Sequence, residues 1–343
     1  EPVSTNPLFL DSSDMDSFDI LVTCPPMLRM MDRLGDRFDR LGLRATTPDV
    51  VQTLSEEELV ELVPRHDGWI IGDDPATRRV FEAGKAGRLR AAVKWGIGVD
   101  NVDLQACADL GLPISNTPNM FGGEVADVAM GYVIALARHT FEIDRGVRQG
   151  GWPKPAGISL AGKTAALVGY GDIGRATARR LLASDMRVLV YDPKAAPAPE
   201  DAGGGALEPA VWPQKLETAD FVVITCALTP GSRHMLNADT LSRCKPGVRV
   251  VNVSRGPVVD EPALVAALQR GHVHSAALDV FETEPLPETS PLRDHERCVF
   301  GSHNASNTVD AVIRTSEVAI DKLVAFLSAA PSPESPAPPK PRD

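Results

Sequence analysis

In the last third of this 343-residue chain, three apolar runs each lead into a side chain that can do chemistry. RVVNVS (249–254) ends at Arg255, SAAL (275–278) leads to Asp279 and then Glu284, and CVFGS (298–302) ends at His303. Hydride transfer to the carbonyl carbon of a 2-oxo acid needs a proton for the carbonyl oxygen. Histidine suits that work because it titrates near neutrality. A neighbouring carboxylate would hold the ring and favour its charged form. Arginine can fork onto a substrate carboxylate and polarise the carbonyl. Taken singly, the three have plainer uses: a surface arginine, a loop acid, a strand-end histidine. The other six histidines (His66, His139, His234, His272, His274, His295) stand in less suggestive contexts and read as structural or exposed.

A second constellation lies upstream. LVGYGDIGRATARRLLASDMRVLVYD (167–192) reads as strand, glycine turn, helix and strand, with Gly169, Gly171 and Gly174 in the GxGxxG spacing. The first glycine permits a tight turn, the second lets backbone approach a pyrophosphate, and the third lets the helix pack on the strand. Asp172 and Ile173 open the helix whose N-terminus would face the phosphates. Asp192 follows Gly171 by 21 residues. There a carboxylate accepts hydrogen bonds from an adenosine ribose and repels a 2′-phosphate, so the spacing predicts NAD over NADP.

These groups need a scaffold, and the rest of the chain supplies one. Short apolar runs alternate with helical patterns almost throughout, the signature of parallel α/β architecture. The first part offers FDILVTC (18–24), GWIIG (68–72), RAAVKW (90–95) and LPISNT (112–117) as strands. After the break at Pro118 and Asn119 comes GEVADVAMGYVIALAR (123–138), a helix apolar on nearly every face and so buried on more than one side. The second part continues through FVVITC (221–226) and the three chemical runs. Asp260, Pro262 and Gly271 mark the ends of a helix there. The expected fold is α/β, with two Rossmann-like or flavodoxin-like parallel-sheet domains. A nucleotide domain, 118–304, is inserted in a discontinuous substrate domain, 1–117 and 305–330. The proline-rich 331–343 reads as a disordered tail.

Acids outnumber bases by 46 to 35, a formal charge of −11. That balance argues against nucleic acid or an anionic membrane as a partner, since both need clustered positive charge. No run of about 18 apolar residues occurs, and no secretory signal is visible at the N-terminus. The five scattered cysteines include no CxxC pair. They point away from disulfides or a metal site and toward a reducing cytoplasm.

Several motifs in order make the chain resemble the NAD-dependent D-2-hydroxyacid dehydrogenases, especially their phosphoglycerate dehydrogenase-like branch. They are KWGIGVDNVDL (94–104), NTPN (116–119), LVGYGDIG (167–174), VNVSRGPVVDEPALVAAL (251–268), ALDVFETEPLP (277–287) and His303, and the likeness covers roughly 18–325. The resemblance implies that Arg255 binds substrate, that Glu284 partners His303 as the catalytic acid, and that Asp279 lies near the nicotinamide. It further implies cofactor contacts at Cys226 and Ser254. On the substrate side it implies Lys94 and backbone N–H groups of the turn Gly96-Ile97-Gly98. A homodimer formed through the 123–138 helix is also implied.

The chain departs from that branch in the loop after GWII. Phosphoglycerate dehydrogenases tend to place Arg–Ser there for phosphate, whereas this chain has Gly72-Asp73-Asp74. Two carboxylates facing a phosphate would repel it unless Lys94, Arg78 or Arg79 supplies the charge. The substrate expected is a small 2-oxo or 2-hydroxy acid, with phosphorylated and phosphono-substituted members such as 3-phosphoglycerate or phosphonopyruvate kept in view. A binding protein of the corepressor kind, holding NAD as a ligand, is the alternative on the same fold. Formate dehydrogenase is disfavoured, because that branch pairs its histidine with glutamine.

Overall fold

Segments such as AAVK (91–94), TAALV (164–168) and FVVI (221–224) are apolar on both faces and buried along their whole length. That is the condition of strands in parallel sheets covered by helices on each side. The structure is a computed structural model that describes residues 17–329. The proposed disordered tail lies outside these residues. The chain divides into two units, one made of the described residues up to Thr117 and from Ile313 onward, the other of Pro118–Val312.

The first unit carries five parallel strands: β1 (Phe18–Val22), β2 (Leu43–Thr46), β3 (Gly68–Ile71), β4 (Ala91–Lys94) and β5 (Ile114–Asn116). Their order is β2-β1-β3-β4-β5. The strand order reverses between β1 and β3, so their carboxyl ends form the ligand crevice expected of such a sheet. Trp69, Phe81, Ile71 and Leu59 centre the core on one face.

The second unit has seven parallel strands: β6 (Thr164–Val168), β7 (Arg187–Tyr191), β8 (Leu207–Pro209), β9 (Phe221–Ile224), β10 (Val248–Asn252), β11 (Val273–Leu278) and β12 (Cys298–Phe300). The order β12-β11-β10-β9-β6-β7-β8 places the switch point between β6 and β9. The helix Gly122–Arg138 buries Val125, Ala126, Ala129, Val133 and Ala137. It packs against the helix Asp172–Ala183 and against β10 and β11. The helix Glu261–Gln269 is capped by Asp260, whose carboxylate accepts the Ala263 N–H at 3.0 Å.

Two strands escaped the sequence reading. Both β2 (LRAT) and β8 (LEP) lie at sheet edges, and neither shows a continuous apolar run. An edge strand has one unpaired side and needs little burial, so it leaves no periodic signal. The return crossing between units falls at Val312/Ile313 rather than at 304/305. The cause is local: the backbone N–H groups of Asn304 and Ala305 donate to Asp279, which keeps that segment with the second unit.

Candidate active site

The glycine turn follows β6 and is closed by backbone contacts that leave no room for side chains at Gly169 and Gly174. Gly169 has φ +96°, and a Cβ there would stand 2.7 Å from the backbone of Cys226. At Gly174 a Cβ would meet the Gly169 carbonyl at 2.2 Å, whereas nothing lies within 4 Å of one at Gly171. The open position is where backbone should approach a ligand. Gly171 is also the N-cap of the helix Asp172–Ala183, and it offers no side-chain acceptor to the first-turn N–H groups. Open backbone, positive helix end and closely packed flanks together fit a dinucleotide pyrophosphate.

Asp192 sits at the end of β7 and ties the turn down. Its carboxylate accepts the N–H groups of Tyr170 (2.7 Å), Lys194 (2.8 Å) and Ala195 (2.9 Å). Burial raises its pKa, but the three donations, with Arg175 nearby, outweigh that and hold it below the ordinary carboxylate range. It is therefore anionic at neutral pH, as an acceptor for a ribose must be. Ile173 is half-buried, its carbonyl accepting the Thr177 hydroxyl. The Asp172 side chain lies against Gly122, where a Cβ would come within 2.5 Å of it. Burial pushes the half-buried Cys226 thiol up to about 11, so it is neutral.

The ends of β10, β11 and β12 bring the three chemical groups into one network. Asn252, buried at the last position of β10, accepts the Ser254 N–H (3.0 Å) and hydroxyl (3.1 Å) and donates to the Arg255 carbonyl (3.0 Å). That clamp fixes the turn from which Arg255 projects. Ser254 is itself buried, and its carbonyl accepts from the Arg255 guanidinium at 2.9 Å. Beside it, Gly256 packs on the Phe281–Glu282 peptide: a Cβ would lie 1.8 Å from the Phe281 carbonyl carbon. The loop that follows carries Glu284, whose Oε1 accepts the Phe281 N–H at 3.0 Å. Its Oε2 stands 2.7 Å from His303 Nδ1, each side chain being 22% exposed. Since a carboxylate only accepts, Nδ1 is the protonated nitrogen of this contact.

His303 has φ +54°, left-handed backbone that disfavours a residue with a Cβ by about 1–2 kcal/mol. Asp279 holds it there. Its carbonyl accepts the His303 N–H (2.7 Å), and its carboxylate accepts those of Asn304 (3.1 Å) and Ala305 (2.9 Å). Asp279 is 2% exposed, so in the structure it is the anchor of the histidine turn.

The sequence reading missed two residues. Asn252 could have been found as the one polar side chain closing an apolar strand. Glu261 gave no such signal: it accepts the Glu282 N–H at 2.5 Å and so fastens the Glu284 loop to the helix after Arg255. Burial, reinforced by Glu282 and Glu284, raises its carboxyl above the usual range against the donation from the Glu282 N–H.

In the first unit, Gly96, Lys94 and Asp74 are each engaged by neighbouring residues. The Gly96 N–H donates to Thr117 Oγ1 at 2.7 Å, so of the Gly96-Ile97-Gly98 turn this amide is engaged within the unit. Ile97 and Gly98 remain partly exposed. Lys94 is 3% exposed, donates to the Trp95 carbonyl (2.8 Å) and pairs with Asp73 (3.3 Å). Asp74 is fully buried and accepts the N–H groups of Leu54 (2.9 Å) and Gly72 (3.1 Å) and the Thr23 hydroxyl. A buried carboxylate needs such partners, and these hold the loop after β3.

Comparison with known proteins places the chain among relatives. Residues 130–305 match the family described as D-isomer specific 2-hydroxyacid dehydrogenase, NAD binding domain. D-3-phosphoglycerate dehydrogenase 2, chloroplastic, of Arabidopsis thaliana is 36% identical over 92% of this chain, which spans 51% of that relative's length. Glyoxylate reductase of Thermofilum pendens is 35% identical over 80% of this chain and 82% of its own. The crystal structure of the TT0316 protein from Thermus thermophilus superposes with a TM-score of 0.80 at 32% identity, covering 92% of this chain and 98% of that one. No helix among the described residues is long and apolar enough to cross a membrane. The cofactor of the second unit is NAD, and the chain belongs to the D-isomer specific 2-hydroxyacid dehydrogenase family.

Proposed function

We propose that the protein interconverts a small 2-oxo acid and the corresponding D-2-hydroxy acid with NAD(H). The observation that carries this reading is the 2.7 Å pairing of His303 Nδ1 with Glu284, beside an Arg255 held by its own clamp. Glu284 orients the ring and stabilises its cationic form. With Nδ1 turned to Glu284, Nε2 exchanges the proton with the substrate oxygen. Arg255 binds the substrate carboxylate and draws charge from the carbonyl, an interaction worth roughly 1.5–3 kcal/mol. Within the first unit, the amides of Ile97 and Gly98 offer neutral donors to a substrate carboxylate. Gly169, Gly171 and Gly174 with the helix N-terminus take the pyrophosphate, and Asp192 takes the ribose in preference to a 2′-phosphate. Bound NAD supplies the hydride acceptor, or NADH the donor.

The test is NADH oxidation against a panel of 2-oxo acids, plain, phosphorylated and phosphono-substituted. Strong turnover of at least one is expected. NADH binding with no turnover across the panel would contradict the enzyme reading and favour the binding-protein one.

The five free thiols support a reducing compartment, which we take to be the cytoplasm. A homodimer is supported by four exposed apolar side chains within one stretch of the second unit. Ile134 projects from the helix Gly122–Arg138, Phe141 and Val147 follow on the next helix, and Trp152 is 77% exposed. Burying such side chains is worth about 1.5–3 kcal/mol each. Light scattering should return twice the chain mass, and the double variant Phe141→Glu/Trp152→Glu should return a monomer. A wild-type monomer at micromolar concentration would rule this interface out.

A further inference from the structure

Tyr170 stands in the glycine turn, between Gly169 and Gly171, yet it is only 1% exposed. It holds both ends of the loop that follows β7. At the start of that loop its N–H donates to Asp192 Oδ2 at 2.7 Å. At the far end its hydroxyl donates to Asp201 Oδ2 at 3.0 Å. Asp201 lies in the short helical turn Pro199–Ala202 and also accepts the Ala198 N–H at 2.9 Å. The Arg175 guanidinium lies over the tyrosine ring, 5.4 Å from its centroid, and links it to the helix Asp172–Ala183. Burial, with Asp201 beside it, pushes the Tyr170 hydroxyl up to about 12, so it stays a donor at neutral pH. Asp201 is the matching acceptor: the Ala198 N–H and the Tyr170 hydroxyl hold its carboxyl below the ordinary range.

We propose that Tyr170 is a positioning residue for the dinucleotide: by bracing the loop Asp192–Asp201 at both ends, it aims the Asp192 carboxylate at the adenosine ribose. The inference rests on the ribose reading of Asp192 proposed above and deepens it. Asp192 Oδ1 accepts the N–H groups of Lys194 and Ala195, which belong to the same loop. Where the loop lies therefore decides where the carboxylate points. Without the hydroxyl the loop samples other placements, and apparent affinity falls with the fraction of molecules correctly arranged. With it, the order exists before the cofactor arrives, and binding does not have to supply it.

The experiment measures the affinities of NADH, ADP-ribose and reduced nicotinamide mononucleotide for the wild type and a set of variants. Tyr170→Phe deletes only the hydroxyl and keeps the buried ring and the N–H bond to Asp192. It should weaken NADH and ADP-ribose by about tenfold, the lower end of what a hydrogen bond to a charged group is worth. The mononucleotide has no adenosine and should bind as it does to the wild type. Asp201→Ala should weaken the same two ligands, and the double variant Tyr170→Phe/Asp201→Ala should add little, because the two side chains act as one unit. Asp201→Asn keeps an oxygen acceptor and should return binding toward wild type. Equal losses for all three ligands would mean general loosening, and unchanged ADP-ribose affinity in Tyr170→Phe would mean an idle contact. Either result overturns the brace and leaves the ribose reading standing. Asp192→Asn tests that reading and should narrow the preference for NADH over NADPH. An unmoved preference removes the ribose reading, and this inference with it.

Discussion

Replacing His303 with asparagine should lower kcat by roughly 10²–10⁴-fold, the usual range for removing a positioned general acid. Asparagine is the informative replacement because position 303 sits at φ +54°, and asparagine tolerates left-handed backbone where alanine adds strain. The turn should survive, since its bonds run from backbone N–H groups to Asp279 and do not involve the imidazole. NADH affinity, read by fluorescence, should change little, because the glycine turn and Asp192 are untouched. Glu284→Gln should give a smaller loss, since the amide can still accept from Nδ1 but no longer stabilises the charged ring. Turnover of His303→Asn within tenfold of wild type would remove His303 as the proton donor.

The second large effect is expected at a residue with no functional group at all. Gly256 packs on the Phe281–Glu282 peptide so closely that an alanine Cβ would lie 1.8 Å from the Phe281 carbonyl carbon and 1.9 Å from its oxygen. Backbone on both sides must move, because no flexible side chain is there to yield. Overpacking of this kind destabilises by about 1–3 kcal/mol and occasionally more, so Gly256→Ala should melt several degrees below wild type. The same displacement shifts Arg255 on one side and the loop bearing Glu284 on the other. Activity should therefore fall at least tenfold even at temperatures where the variant is folded. Scanning calorimetry with steady-state kinetics on one preparation checks both parts, and a variant with wild-type Tm and kcat/KM would show that the contact can relax.

Which parts of this arrangement were legible beforehand follows from the range over which each signal acts. The doubly buried strands β3, β4, β6, β9 and β10 announced themselves as mainly apolar runs, because burial on both faces admits only the few polar residues that find partners. The glycine turn was legible because a positive φ and a close helix approach are demanded within six residues of sequence. Asp260 as a cap was readable for the same reason. The edge strands β2 and β8 were silent, since half-exposed backbone imposes no pattern.

At the site, the sequence by itself determined the identity and order of Arg255, Glu284 and His303, and the glycine spacing that precedes them. Each depends on residue type at the end of a local element. The tertiary structure alone decided what their neighbours do. Asn252 became a clamp, Asp279 the anchor of the histidine turn, Glu261 the fastening of the Glu284 loop, and Asp74 a buried support of the loop after β3. The pairing of Lys94 with Asp73 likewise joins residues 21 positions apart, at the carboxyl ends of neighbouring strands. A polar side chain's partner is set by which strand ends lie side by side. Strand order is a global property of the sheet, and no local stretch of sequence encodes it.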